Sequence, residues 1–172
     1  MTAELPAAVA AALAQHEAFE STADGFRVRT VVFDATVTAS ESEGVGDTFT
    51  VVVRAPMLDE AVDGETVGPT VEEGWFETYG RRLADATGAT RARVELESFD
   101  LTEENGEAVA EFTYTYGDAE QGIAIAKTIA EFTEGTYVQG VIPGYDYRSP
   151  VADLLQQAKS TGSGGDRSGT PL

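Results

Sequence analysis

Two stretches suited to extended chain, residues 26–55 and 90–116, flank one strongly helical stretch, and this arrangement restricts the possible folds more than any other feature of the sequence. Residues 26–39 are rich in β-branched side chains. Their apolar alternation runs through Phe26, Val28, Thr30 and Val32, then slips to Phe33, Ala35, Val37 and Ala39. A slip of one residue exchanges the faces of a strand, so the pattern predicts either a bulge near Val32-Phe33 or two shorter strands. Residues 48–55 alternate cleanly, with Phe49, Val51 and Val53 on one face and Pro56 as the stop. A second pair of strands is predicted over 90–99 and 107–116. Strands that occur as sequence neighbours pair antiparallel, which predicts an α+β domain over 1–159. Its mostly antiparallel sheet has four to five strands with helices packed on it, in the order α-β-β(-β)-α-β-β-α-α.

The helical stretch, VEEGWFETYGRRLADA at 71–86, places Trp75, Phe76, Tyr79, Leu83 and Ala86 at helical spacing and so offers one broad apolar stripe to a core. Thr70 and Glu73 form a T-x-x-E capping box at its start, and Gly88 can take a left-handed conformation just past its end. An amphipathic helix is predicted over 5–17, one helical turn over 58–62, a helix over 119–133 capped by Asp118, and a short closing helix over 151–158. Ser149-Pro150 would be the N-cap and first position of that closing helix. In the second strand pair, a three-residue loop with Gly106 left-handed sets Leu96 opposite Tyr114 and Val94 opposite Tyr116. That register matches apolar residues better than a two-residue Asn105-Gly106 turn does. Glu95, Glu97, Glu111 and Thr113 then face outward as a solvated sheet face rather than an acid/base pair or cation site. Residues 160–172, STGSGGDRSGTPL, have no core-forming content and are predicted to be a disordered tail.

Thirty acidic residues against eleven basic give a net charge of −19, with only Lys127 and Lys159 as lysines. At molar salt the screening length falls to about 3 Å, and carboxylates stop repelling one another while still holding water. The composition reads as the salt adaptation of a halophile's cytoplasmic protein that needs high salt for stability. Contact with nucleic-acid phosphates or an anionic membrane is disfavoured by the charge. No cysteine is present, so disulfides and thiol chemistry are excluded. No stretch of 18 apolar residues and no signal-like N-terminus points to a membrane. His16, the single histidine, lies at the edge of the first helical stripe and reads as a packing residue.

Phosphate-loop, dinucleotide, zinc-protease, nucleophile-elbow and calcium-loop motifs are all missing, so no catalytic, cofactor or metal residues are assigned. The stretch that packing explains least is 134–147, EGTYVQGVIPGYDY, whose glycines at 135 and 140 would either let a helix approach the sheet or open a loop. The leading functional expectation is a non-enzymatic protein-binding or adaptor module, using Tyr137, Val138, Ile142, Tyr145, Tyr147 and Arg148 against a partner protein or a second copy; the competing expectation for the same residues is that they fold back over the sheet and close the core. The alternative is a small-molecule-binding or catalytic domain. Its pocket would lie between the central helix and the sheet, lined by Trp75, Tyr79 and Tyr114 with Arg81 or Arg82 at the mouth. Otherwise these two arginines are expected to pair with nearby carboxylates on the helix surface.

The strings GTYVQGVIPGYDY, VFDATVTA at 32–39, RAPMLDEAV at 54–62 and VEEGWFETY at 71–79 together resemble a haloarchaeal protein family known as domain of unknown function 5813. The resemblance covers most of the chain, agrees with the salt-adapted reading, and implies no activity, cofactor or site residue. In element order alone, the chain is also similar to type III secretion chaperones.

Overall fold

The structure is a computed structural model that describes residues 5–159. The expected tail at 160–172 lies outside the described residues. Helix α1 (Ala7–Leu13) leads into β1 (Phe19–Ser21), β2 (Phe26–Val28), β3 (Asp34–Glu41) and β4 (Asp47–Pro56). After the short α2 (Leu58–Ala61) and the central α3 (Pro69–Leu83), a 3₁₀ turn (Ala86–Ala89) precedes β5 (Ser98–Glu104), β6 (Glu107–Tyr116) and the long α4 (Ala119–Gly140). A closing helix, α5, covers residues 151–159. The strands form one antiparallel sheet in the order β1-β2-β3-β4-β6-β5, so β6 is inserted between β4 and β5. The chain is α+β, with six strands where four to five are expected from the sequence.

Strand alternation determines which face of the sheet is covered. Val37, Phe49, Val51, Val53, Ala110, Phe112 and Tyr114 are all buried on one side, and α4 lies across β4 and β6 there, flanked by α1 and α3. An ideal Cβ at Gly122 would sit 2.4 Å from Cζ of Phe49, so glycine is what allows α4 to approach this closely. The Tyr114 hydroxyl then donates to the Gly122 carbonyl at 2.7 Å, with its ring stacked on Phe49. Gly135, by contrast, faces open space and brings no element closer. The opposite face of the sheet is polar, and hydroxyls run across it in rows. Thr38 pairs with Thr50, Thr50 with Thr113, and Thr113 with Ser98.

Several local expectations are corrected. One is met: of the two readings of the slip at Val32-Phe33, two shorter strands form, β2 and β3, which pair with each other through Phe26 and Val37. The β5–β6 connection is the two-residue turn, with Asn105 at φ 51° and Gly106 at φ 81°, and Phe99 rather than Leu96 finds an aromatic partner in Phe112. These paired left-handed residues match the twist of the strands, and the turn outweighs the apolar matching that favoured the other register. β5 consequently starts at Ser98, and 90–97 is not strand. The capping box does not form, because Pro69 occupies the first position of α3 and Gly68 is the N-cap. Its φ is preset for that place. Gly88 is not left-handed, since α3 ends in the 3₁₀ turn instead. α1 stops at Leu13, leaving His16 outside it, 3.5 Å from a carboxylate oxygen of Glu120. Asp118 does cap α4, accepting from the Gln121 amide. Ser149 does not cap α5; its hydroxyl bonds the Asp153 carboxylate.

Candidate functional site

The central helix turns two adjacent stripes toward α4. One is large and aromatic, Trp75, Tyr79 and Leu83, and it is buried. The other is small, with Thr70, Gly74 and Thr78 at successive spacings of four, and Arg82 follows at the same spacing, so all lie along one line of the helix surface. Thr136 and Gly140 of α4 face this second stripe. Small residues on both helices leave an open groove with a volume of ≈530 Å³, closed at its rim by Val71 and Ile142. A Cβ at Gly74 would meet nothing, and one at Gly140 would be 3.9 Å from a guanidinium nitrogen of Arg82. Arg82 therefore lies beside the C-terminal end of α4, where the helix dipole favours a cation.

The groove wall is an aromatic cluster. Trp75 and Tyr79 stack with ring centres 5.5 Å apart. Tyr137 of α4 sets its edge against both, at 5.5 Å and 5.6 Å, and Phe33 sets its own against Tyr137 at 4.9 Å. Tyr137 donates to the Pro56 carbonyl at 2.8 Å. Trp75 and Tyr79 are only 5% and 3% exposed, and neither the indole N–H nor the Tyr79 hydroxyl has a hydrogen-bond partner. A buried donor without a partner costs about 1–3 kcal/mol. Burial, with a smaller contribution from the Glu134 carboxylate, pushes the Tyr79 phenol well above its ordinary range. It is therefore a neutral O–H at physiological pH.

Of the residues expected to line a pocket, the structure brings Trp75, Tyr79 and Arg82 together, while Tyr114 and Arg81 are elsewhere. Tyr114 is sealed between the sheet and α4, its hydroxyl spent on Gly122. Arg81 is exposed and does not line the groove. The cavity lies between α3 and α4, not between α3 and the sheet. Neither arginine forms the expected ion pair; those among the described residues involve His16, Arg54, Lys127 and Arg148.

Of the residues expected to form an interface, one is withdrawn from the surface. Tyr137 is fully buried and belongs to the core. Its place follows from α4 continuing past Thr133 to Gly140, which turns Thr133, Thr136 and Tyr137 inward. Val138, Ile142, Tyr145 and Tyr147 are half-buried against the core. Tyr147 is bridged to Val62 and its hydroxyl donates to the Ile142 carbonyl. The Arg148 amide donates to Ala61 at 2.8 Å, and its guanidinium lies 3.2 Å from the Val62 carbonyl and 3.7 Å from the Asp63 carboxylate. This segment is thus stapled to the end of α2. The groove residues Thr70, Gly74, Thr78, Thr136 and Gly140 were missed, although the fourfold spacing of the first three was a readable sign of a small-residue stripe.

A family model described as "Family of unknown function (DUF5813)" matches residues 14–157. The chain belongs to this family. The matched span takes in the whole sheet and both groove helices of the DUF5813 chain, so the groove is part of what the family model covers. No curated protein matches the DUF5813 chain, and no solved structure does, which leaves the chaperone likeness resting on element order alone. Among the described residues, no three acidic or histidine side chains gather as metal ligands, and no helix is long and apolar enough to cross a membrane.

Proposed function

We propose that the chain is a small-molecule-binding module whose site is the groove between α3 and α4. The observation that carries this reading is the open groove itself, walled by the stacked rings of Trp75 and Tyr79 and edged by three threonines. A groove of ≈530 Å³ is within the range of ligand sites, and its mixture of aromatic wall and hydroxyl rim suits a small, largely apolar molecule. Its side chains include no carboxylate or histidine, which favours binding over general acid–base chemistry.

The only tryptophan stands at the site, so its fluorescence is a direct reporter. Saturable quenching by members of a metabolite panel is the expected result. Gly74→Leu, which grows into open space from a helix interior, should abolish the quenching while leaving the unfolding midpoint unchanged or higher. The absence of any saturable response in the wild type would refute the reading. A protein-binding or self-associating module is the second reading, favoured by Val71, 41% exposed at the groove rim, where a partner's apolar side chain could insert. Sedimentation of wild type and Gly74→Leu separates the two. We also read the acid excess as salt adaptation in a cytoplasm, to be tested by unfolding across a KCl series.

A further inference from the structure

We propose that the chain forms a two-fold dimer through residues 91–97, which pair antiparallel with the same segment of a second copy. This surface is independent of the α3/α4 groove, because none of its residues lines the groove. The segment, RARVELE, alternates charged with apolar residues. The structure keeps that period: Arg91, Arg93, Glu95 and Glu97 are exposed, while Ala92, Val94 and Leu96 are half-buried against the core. Such alternation is that of a strand with one face covered, yet the segment belongs to no strand. It leads into β5, the edge of the sheet, whose strand neighbour is β6 alone. Both of its ends are held. The Thr90 hydroxyl lies 2.8 Å from the carbonyls of Thr87 and Ala92, and the Glu97 amide donates to the Thr113 carbonyl at 2.7 Å. Between these anchors, the amides of residues 91–96 donate to no backbone carbonyl among the described residues. Backbone groups left open along a sheet edge are a template for an added strand.

The order of the charges selects the partner. A two-fold axis at Val94 sets Arg91 opposite Glu97 and Arg93 opposite Glu95 of the second copy, and each pair occurs twice. The same axis sets Ala92 opposite Leu96 and Val94 opposite its own counterpart, so apolar residues meet on the covered face. An axis at Arg93 or Glu95 would oppose like charges, and one between adjacent residues would set every charge opposite an uncharged residue. A parallel, in-register pairing would oppose like charges at all four positions. Opposite charges facing each other across an antiparallel pair are favourable and like charges are not. None of the four forms an ion pair among the described residues; Glu97 accepts from the Thr115 hydroxyl through one carboxylate oxygen and keeps the other. In a chain of net charge −19, two copies repel over most of their surface. A segment with as many arginines as glutamates escapes that repulsion. β5 itself offers only acids, Asp100, Glu103 and Glu104, which disfavour a second copy along that stretch.

The test is sedimentation equilibrium of the full chain at a fixed molar KCl concentration, where the general repulsion between copies is screened. The wild type should show a concentration-dependent monomer–dimer equilibrium. Arg91→Glu/Arg93→Glu and Glu95→Arg/Glu97→Arg should each weaken it by at least about tenfold, because every favourable pair becomes a like-charge contact. The second variant is the stricter case: it lowers the net negative charge, so relief of general repulsion alone would strengthen association. Mixing the two variants should produce a heterodimer, and exchanging all four charges in one chain should restore the wild-type equilibrium. Circular dichroism checks that each variant is folded. Gly74→Leu should leave the dimer unchanged; a dimer lost in that variant would place the contact at the groove and overturn this one. A wild type that stays monomeric across the accessible concentration range would also overturn the proposal. So would a dimer that neither charge variant weakens, or a weakening that neither the mixture nor the fourfold exchange reverses.

Discussion

Replacing Tyr137 is the sharpest test of how the core and the groove are built. Its side chain is 0% exposed, three aromatic rings press on it edge to face, and its hydroxyl holds the Pro56 carbonyl at the end of β4. Tyr137→Phe removes only the hydrogen bond and should cost about 1 kcal/mol. Tyr137→Ala also removes the ring and should cost about 3–5 kcal/mol, the range for aromatic residues cut to alanine in a packed core. At about 2–4 °C per kcal/mol for a chain of this size, the alanine variant should melt roughly 10 °C lower and the phenylalanine variant about 3 °C lower. Urea unfolding at fixed KCl, followed by far-UV circular dichroism, measures both, and the slope m should stay constant if only stability changes. A loss below about 1 kcal/mol for Tyr137→Ala would refute the placement and return the ring to the surface.

Gly122→Ala should destabilise the protein by about 1–3 kcal/mol despite alanine's better helix propensity, because the new methyl would collide with the buried Phe49 ring; an increase in the unfolding midpoint would contradict this. Asn105→Val, placing a β-branched residue at φ 51°, should cost at least about 1 kcal/mol in the same assay, and Asn105→Gly should be near neutral. Burial raises the phenols of Tyr79, Tyr114 and Tyr137 above their ordinary 10.0. The folded chain thus keeps protons there that the unfolded chain gives up, so stability is intact below pH 10 and falls as pH rises above it. Ultraviolet titration should show these three of the six tyrosines ionising only as the chain unfolds; early, reversible ionisation of all six would be the contrary result.

The clearest sequence signals lay where period and punctuation agreed. β4 and β6 were readable to within a residue at each end because strict alternation stops at Pro56, at Asn105-Gly106 and at Gly117. β1 was missed because three residues, Phe19–Ser21, are too few to show a period. The position of β5 went wrong because matching apolar residues across the hairpin was given more weight than the backbone demands of an Asn-Gly turn. Helix α4 was cut short at Thr133 because Gly135 is a poor helix former, yet burial of Thr136 and Tyr137 carries it through two further turns. Half of the groove was hidden by the same error. The α3 stripe could be read from its spacing, but its counterpart on α4 exists only once 134–140 is helical. The unpartnered indole and phenol are tertiary facts that no local pattern encodes.

The acid excess also has a structural use. Where loops leave amides without a partner, the fold supplies a carboxylate. Glu134 accepts from Val32 and Phe33 at 2.6 Å and 3.0 Å, Glu72 from Asp59 at 2.7 Å, and Asp59 from Val67 at 2.8 Å. Each removes a donor that would otherwise be left unsatisfied, with the extra strength of an ionised acceptor. Trp75 and Tyr79 pose the same problem beside two of these elements, and no carboxylate answers it. Glu134 is near enough to raise the Tyr79 phenol, but its bonds go to the backbone at 32–33. The indole N–H and the Tyr79 hydroxyl are sealed from solvent as well as unpartnered, so they are a cost that the aromatic packing of α3 against α4 outweighs.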